Sequence, residues 1–232
     1  MPSKEHAIII GVGPGLGAAL VERCAREGLA VSAGARNAER LRALLDQRGL
    51  KDAAAMACDV TDAANVDDLF AAAISAHGAP SLVVFNASGY ARGGILDLTS
   101  SQVETAWRIG CLGGFHVGQA AARAMTSGSG VPAGRGTIIF TGATASLRGS
   151  ASFAPFAVAK FGLRALAQSM ARELGPKGIH VAHTLIDGQI GDDPNDAKLR
   201  PGDIADAYWY LHRQARSAWS QELDLRPWVE KF

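Results

Sequence analysis

Ala7-Ile-Ile-Ile-Gly-Val-Gly-Pro-Gly-Leu-Gly-Ala-Ala-Leu-Val21 runs from an apolar stretch through a glycine-rich turn into a helix, with nothing between them. Ile8, Ile9 and Ile10 are continuous and β-branched, as in a strand buried on both faces. Gly11, Gly13, Gly15 and Gly17 remove side chains where the backbone passes close to something. A helix that starts there turns free N–H groups and its positive end toward the turn, which suits a phosphate. Two spacings fit. Gly13-Pro14-Gly15-Leu16-Gly17-Ala18 satisfies G-x-G-x-x-A, and Gly11-x-x-x-Gly15-x-Gly17 is a different glycine spacing. No Gly-Lys-Ser/Thr follows, so a Walker phosphate loop is excluded.

Beyond this turn, strands and helices alternate. The pattern predicts strands over 7–10, 30–35, 53–57, 82–86, 136–141, 179–185 and 222–225. Helices are expected over 15–27, 38–47, 61–76, 100–123, 154–174 and 201–214, and a surface loop over 126–135. Such alternation means a doubly wound parallel α/β sheet with helices on both faces. With 232 residues, 48% of them hydrophobic, the chain suffices for a single domain over 1–232.

A net charge of +1 gives no field for nucleic acid, and no run is apolar enough to span a membrane. The polar N-terminus leads into the first strand, so no signal peptide is expected. Cys24, Cys58 and Cys111 form no CxxC pair and fit reduced thiols in a cytoplasmic protein. His180 and His183 stand three apart on one strand and face opposite sides, so no metal site is expected.

Further stations follow in order: Cys58-Asp59-Val60, Asn86-Ala87-Ser88-Gly89, Thr137-Ile-Ile-Phe-Thr141, Lys160, and Gly178-Ile-His-Val181. Together with Gly11-x-x-x-Gly15-x-Gly17 they resemble the short-chain dehydrogenase/reductase family over nearly the whole chain. Ile10 stands where the family has Thr. The resemblance implies a Rossmann-type fold, NAD(P) binding and a homo-dimer or homo-tetramer. The loop residues Gly11, Gly13, Pro14, Gly15, Leu16 and Gly17 would hold the dinucleotide, with Asp59 and Val60 at adenine and Asn86, Ala87 and Gly89 at ribose.

The end of the second strand reads Ala33-Gly34-Ala35-Arg36-Asn37. A carboxylate there would hold a ribose 2′-hydroxyl. Here that position is Ala35, and Arg36 follows, which suits a 2′-phosphate. NADP(H) is therefore expected over NAD(H).

The resemblance also implies a catalytic Tyr, a Lys four residues later, a Ser on the fifth strand and an Asn in the preceding helix. Lys160 is retained, whereas Phe156, Ala143 and Gly110 occupy the Tyr, Ser and Asn positions. Thr141, Thr144, Ser146 and Tyr90 are the nearby hydroxyls, each with an ordinary turn or packing role available. After the sixth strand, Asp187 replaces a family Pro. Gly188 and Ile190 are expected at the nicotinamide, followed by a short polar lid over about 191–201. The stretch 211–228 has no chemical reading and is expected near the lid or at a subunit interface.

Three functions remain open: a divergent NADP(H)-dependent oxidoreductase acting on an unidentified carbonyl or alcohol, a catalytically silent NADP(H)-binding or interaction protein, and a non-redox enzyme reusing the pocket.

Overall fold

A computed structural model describes residues 4–127 and 136–231. Seven parallel strands form one sheet in the order β3-β2-β1-β4-β5-β6-β7. They are β1 (His6–Ile10), β2 (Ala30–Ala35), β3 (Ala54–Ala57), β4 (Leu82–Phe85), β5 (Gly136–Thr141), β6 (Ile179–Ile186) and β7 (Glu222–Leu225). The order reverses between β1 and β4, so chain returns to the sheet centre from both sides. In such sheets ligands lie at that reversal, outside the carboxyl ends of the strands.

The continuous apolar run of β1 serves two cores. Ile9 joins Leu20, Leu45 and Tyr208 on one face, while Ile8 and Ile10 join Leu69, Phe85 and Leu163 on the other. Alternation of side chains along a strand makes that division unavoidable. The helices are α1 (Leu16–Arg26), α2 (Ala38–Gln47), α3 (Ala63–His77), α4 (Ser100–Trp107), α5 (Gly113–Thr126), α6 (Ala154–Leu174) and α7 (Pro201–Arg213). Caps fix several starts: Asn37 Oδ1 accepts from the Arg40 amide at 2.8 Å, and Asp62 Oδ1 from the Ala64 amide at 2.9 Å.

Strand and helix ends fall within two residues of expectation, except in one helix. The helix expected over 100–123 is interrupted by a π-helical turn, Arg108–Leu112, and continues to Thr126. Close packing accounts for the glycines there. A Cβ on Gly110 would lie 3.0 Å from Ala159 Cβ, one on Gly113 2.7 Å from Val60 Cγ2, and one on Gly114 2.4 Å from Leu163 Cδ1. Residues 128–135 of the expected surface loop lie outside the described residues, whereas Thr126 is helical.

The segment expected as a lid is tied down. Ile190 bridges Leu199, and the Gly191 amide donates to the Leu199 carbonyl at 2.9 Å. Asp193 accepts from the Asn195 and Ala197 amides. From the C-terminal stretch, Pro227 packs on Gly188 and Trp228 Nε1 donates to the Asn195 carbonyl. That end of 211–228 therefore packs against the segment over 188–195. His180 and His183 face opposite sides: His180 stacks on Trp219, and His183 contacts Glu222. Among the described residues, no helix is long and apolar enough to cross a membrane.

Candidate nucleotide cleft and active site

Where β1, β2 and β4 end, a cleft of about 1150 Å³ opens. Its floor is the glycine turn. Gly11 has φ +90°, and the amides of Gly11 and Val12 both donate to the Gly34 carbonyl. Asn86 Nδ2 donates to the Gly11 carbonyl at 3.0 Å, which ties the turn to the end of β4. Gly17 packs behind the loop, where a Cβ would meet Val12 Cα at 2.6 Å. Gly13 and Gly15 differ from both, since a Cβ on either would meet no atom within 4 Å. No side chain caps Gly15 at the start of α1; the Ala18 amide donates to the Gly13 carbonyl at 2.9 Å, which leaves the Leu16 and Gly17 amides for a ligand. A phosphate cradle has these features.

One wall is cationic. Arg36, Arg40 and Arg108 line the cleft, against one carboxylate, Asp59. The side chains of Arg36 and Arg40 are exposed and form no ion pair or hydrogen bond among the described residues. Asp59 accepts from the Thr61 amide and hydroxyl. These bonds, with the charges of Arg36 and Arg108, hold its carboxyl below the usual range.

Of the residues singled out in the sequence, Gly11, Gly13, Pro14, Arg36, Asp59, Val60, Asn86 and Ala87 line this cleft. Leu16 does not, because its side chain is buried in the core. Gly89 is pressed against α4, where a Cβ would meet the Ala106 carbonyl oxygen at 2.6 Å. Gly15 and Gly17 shape the turn from its edge and back. Lys160, Gly188 and Ile190 stand outside the cleft, on the β5–β6 side. Arg40 and Arg108 escaped the sequence reading. Arg40 lies four residues after Arg36, a legible helical spacing, whereas Arg108 arrives from a distant π turn that no local pattern announces.

The second half of the site surrounds Lys160. Its side chain is 3% exposed, and Nζ donates to the Thr141 carbonyl at 2.7 Å. Burial alone pushes its pKa down to about 8. Phe156, one turn earlier on α6, presents its ring 5.7 Å from Nζ. Tyr90 packs edge-on against Phe156 and Phe153, with ring centroids at 5.6 and 6.1 Å. Three of the nearby hydroxyls have ordinary hydrogen-bond roles. Thr141 Oγ1 faces α7, where it accepts from Tyr208 at 2.9 Å. Ser146 is fully buried and accepts from the Ala143 amide at 3.2 Å. Thr144 donates to Asp187, which also pairs with Arg226.

Beneath this region, Arg164 grips both carboxylate oxygens of Glu222 at 2.7 Å each. Glu222 also faces His183 Nδ1 at 3.1 Å. A carboxylate only accepts, so Nδ1 carries the hydrogen. Burial pushes the His183 pKa down to about 4, which leaves the ring neutral, and its Nε2 has no partner among the described residues.

Comparison with known proteins agrees with this architecture. A family described as short chain dehydrogenase matches residues 5–186. Sorbitol dehydrogenase from Cereibacter sphaeroides is 33% identical over 199 residues, which cover 84% of this chain and 75% of that protein. A short-chain dehydrogenase structure from Rhodopseudomonas palustris is 40% identical, with a TM-score of 0.84, covering 97% of this chain and 99% of that one. A metagenomic short-chain oxidoreductase solved in complex with NADP is 25% identical with a TM-score of 0.84, covering 99% of each chain.

Proposed function

The chain belongs to the short-chain dehydrogenase family, and from that premise we propose that it is a divergent NADP(H)-dependent oxidoreductase acting on a carbonyl or alcohol without a tyrosine proton donor. The cofactor reading rests on one observation: Arg36 and Arg40 stand unpaired at the cleft wall where Ala35 supplies no carboxylate. Two guanidiniums suit a 2′-phosphate, while a ribose 2′-hydroxyl would find no acceptor at position 35. The NADP bound by the metagenomic relative supports the same choice.

When bound, the dinucleotide supplies or accepts the hydride. Gly13, Pro14, Gly15 and the first amides of α1 take its pyrophosphate. Asp59 and Val60 flank adenine, and Asn86, Ala87 and the turn before Gly89 flank ribose. Lys160, Gly188 and Ile190 serve the nicotinamide half. Phe156 and Ala143 make the chemical end more apolar than a Tyr and a Ser would.

The second reading, a silent NADP(H)-binding or interaction protein, is favoured by the same Phe156, Ala143 and Gly110. A screen of carbonyls with NADPH and alcohols with NADP⁺ separates the two. Turnover by the unmodified protein removes the silent reading, and tight NADPH binding without turnover removes the oxidoreductase. Exposed Phe115 on α5, with Val158 and Phe161 on α6, supports assembly as a homo-dimer or homo-tetramer. Three free cysteines fit a cytoplasmic location.

A further inference from the structure

We infer that Arg48, at the end of α2, is a positioning residue for the dinucleotide: it holds the Pro14–Gly15 peptide so that its N–H, and not its carbonyl, is presented to the pyrophosphate. This inference rests on the dinucleotide-binding reading above.

The tip of the glycine turn has little to hold it. Pro14 and Gly15 are exposed. A Cβ on Gly13 or Gly15 would meet no atom within 4 Å, and no side chain caps Gly15. Glycine on both sides of Pro14 leaves the intervening peptides free to rotate. Elsewhere the turn is anchored: Asn86 holds the Gly11 carbonyl, and the Ala18 amide holds that of Gly13. Among the described residues, one side chain bonds to the tip itself. Arg48 Nη2 donates to the Pro14 carbonyl at 2.8 Å.

That guanidinium is well placed to act as a fixed strut. Its backbone closes α2, where the Arg48 amide donates to the Asp46 and Leu44 carbonyls. Leu41 and Leu45 seat α2 in the same core as Leu16 and Leu20 of α1. Glu22 of α1 stands 3.9 Å from Arg48 Nη1 and restrains the other arm. Arg48 does not line the cleft, although its neighbour Gln47 does, so it works on the turn from outside.

In a trans peptide the N–H points opposite to the C=O. A grip on the Pro14 carbonyl therefore turns the Gly15 amide away from Arg48. That amide has no acceptor among the described residues. A pyrophosphate accepts hydrogen bonds and repels a carbonyl oxygen, so the orientation of this one peptide decides whether the tip attracts or opposes it. Arg40 near the start of α2 lines the cleft, and Arg48 at its end holds the tip. One helix thereby sets both the cationic wall and the phosphate turn.

The test uses the full chain and calorimetry with NADPH, NADH and adenosine 2′-monophosphate, which has the adenine and 2′-phosphate but no pyrophosphate. Arg48→Met should weaken NADPH and NADH alike by about tenfold, the order of cost for ordering a loop on binding. Adenosine 2′-monophosphate should bind unchanged, which also shows that the variant is folded. The loss should persist at high salt, where distant charges are screened. NADPH binding unchanged in Arg48→Met, a matching loss for adenosine 2′-monophosphate, a loss confined to NADPH, or one that vanishes at high salt overturns the inference and leaves the dinucleotide reading intact. No binding of either dinucleotide by the unmodified protein overturns both.

Discussion

A Cβ built on Gly11 lies 2.3 Å from the backbone nitrogen of Ala87. The first loop and the end of β4 thus touch backbone to backbone, with no room for a methyl group between them. Gly11→Ala combines that clash with a φ of +90°. It should destabilise the fold by more than about 2 kcal/mol. Gly13→Ala meets no atom within 4 Å and should leave urea stability within roughly 0.5 kcal/mol while weakening dinucleotide binding. Equal stability losses for the two variants would contradict this division of labour.

Arg36→Ala should weaken NADPH binding by roughly 10- to 100-fold, the worth of one charge-assisted contact, and NADH binding much less. Arg40→Ala should act in the same direction. Calorimetry with both dinucleotides reads the difference. Equal losses for NADPH and NADH would remove the 2′-phosphate role.

Lys160 makes the apo fold pH-sensitive. Its pKa is about 8 in the folded protein against 10.5 as the ordinary value. Between those limits the unfolded chain binds the extra proton, so stability rises with pH through that window. At 1.36 kcal/mol per unit, the gain is roughly 3 kcal/mol. Denaturation of Lys160→Met should show no such rise. A rise of the same size in that variant would place its origin elsewhere.

His183 acts in the acid range. Its folded pKa is about 4 against 6.5 as the ordinary value. Here too the unfolded chain binds the extra proton, so stability is lost as pH falls from 6.5 toward 4. Glu222→Gln removes the anion facing both His183 and Arg164, and should cost about 1–3 kcal/mol at pH 7, reduced by the pair's partial exposure. A double-mutant cycle with Arg164→Met measures the coupling. Strict additivity would show that the pair contributes nothing.

Phe156→Tyr with Ala143→Ser should raise carbonyl reduction by about 10²–10⁴-fold if proton delivery limits the rate. Gly110→Asn should not add to it, since a Cβ there already stands 3.0 Å from Ala159. A double variant no faster than the unmodified protein would show that another step is limiting.

Much of this molecule is visible along the chain. Ile8–Ile10, the glycines and the alternation that follows dictate a parallel sheet, because a strand apolar on both faces must be covered by helices on both faces. Arg36 was legible because it directly follows Ala35. The π turn at Arg108–Leu112 was not, because the same residues satisfy an ordinary helical pattern and only packing against Ala159, Val60 and Leu163 distinguishes the two. The sequence by itself determined the fold and the kind of ligand its first loop accepts, since both follow from local spacing. Only tertiary packing turns Thr141 and Ser146 inward, brings Arg108 to the cleft, and buries the Lys160 side chain with no carboxylate against it among the described residues. Those facts depend on which distant segments meet, and desolvation exists only once they do.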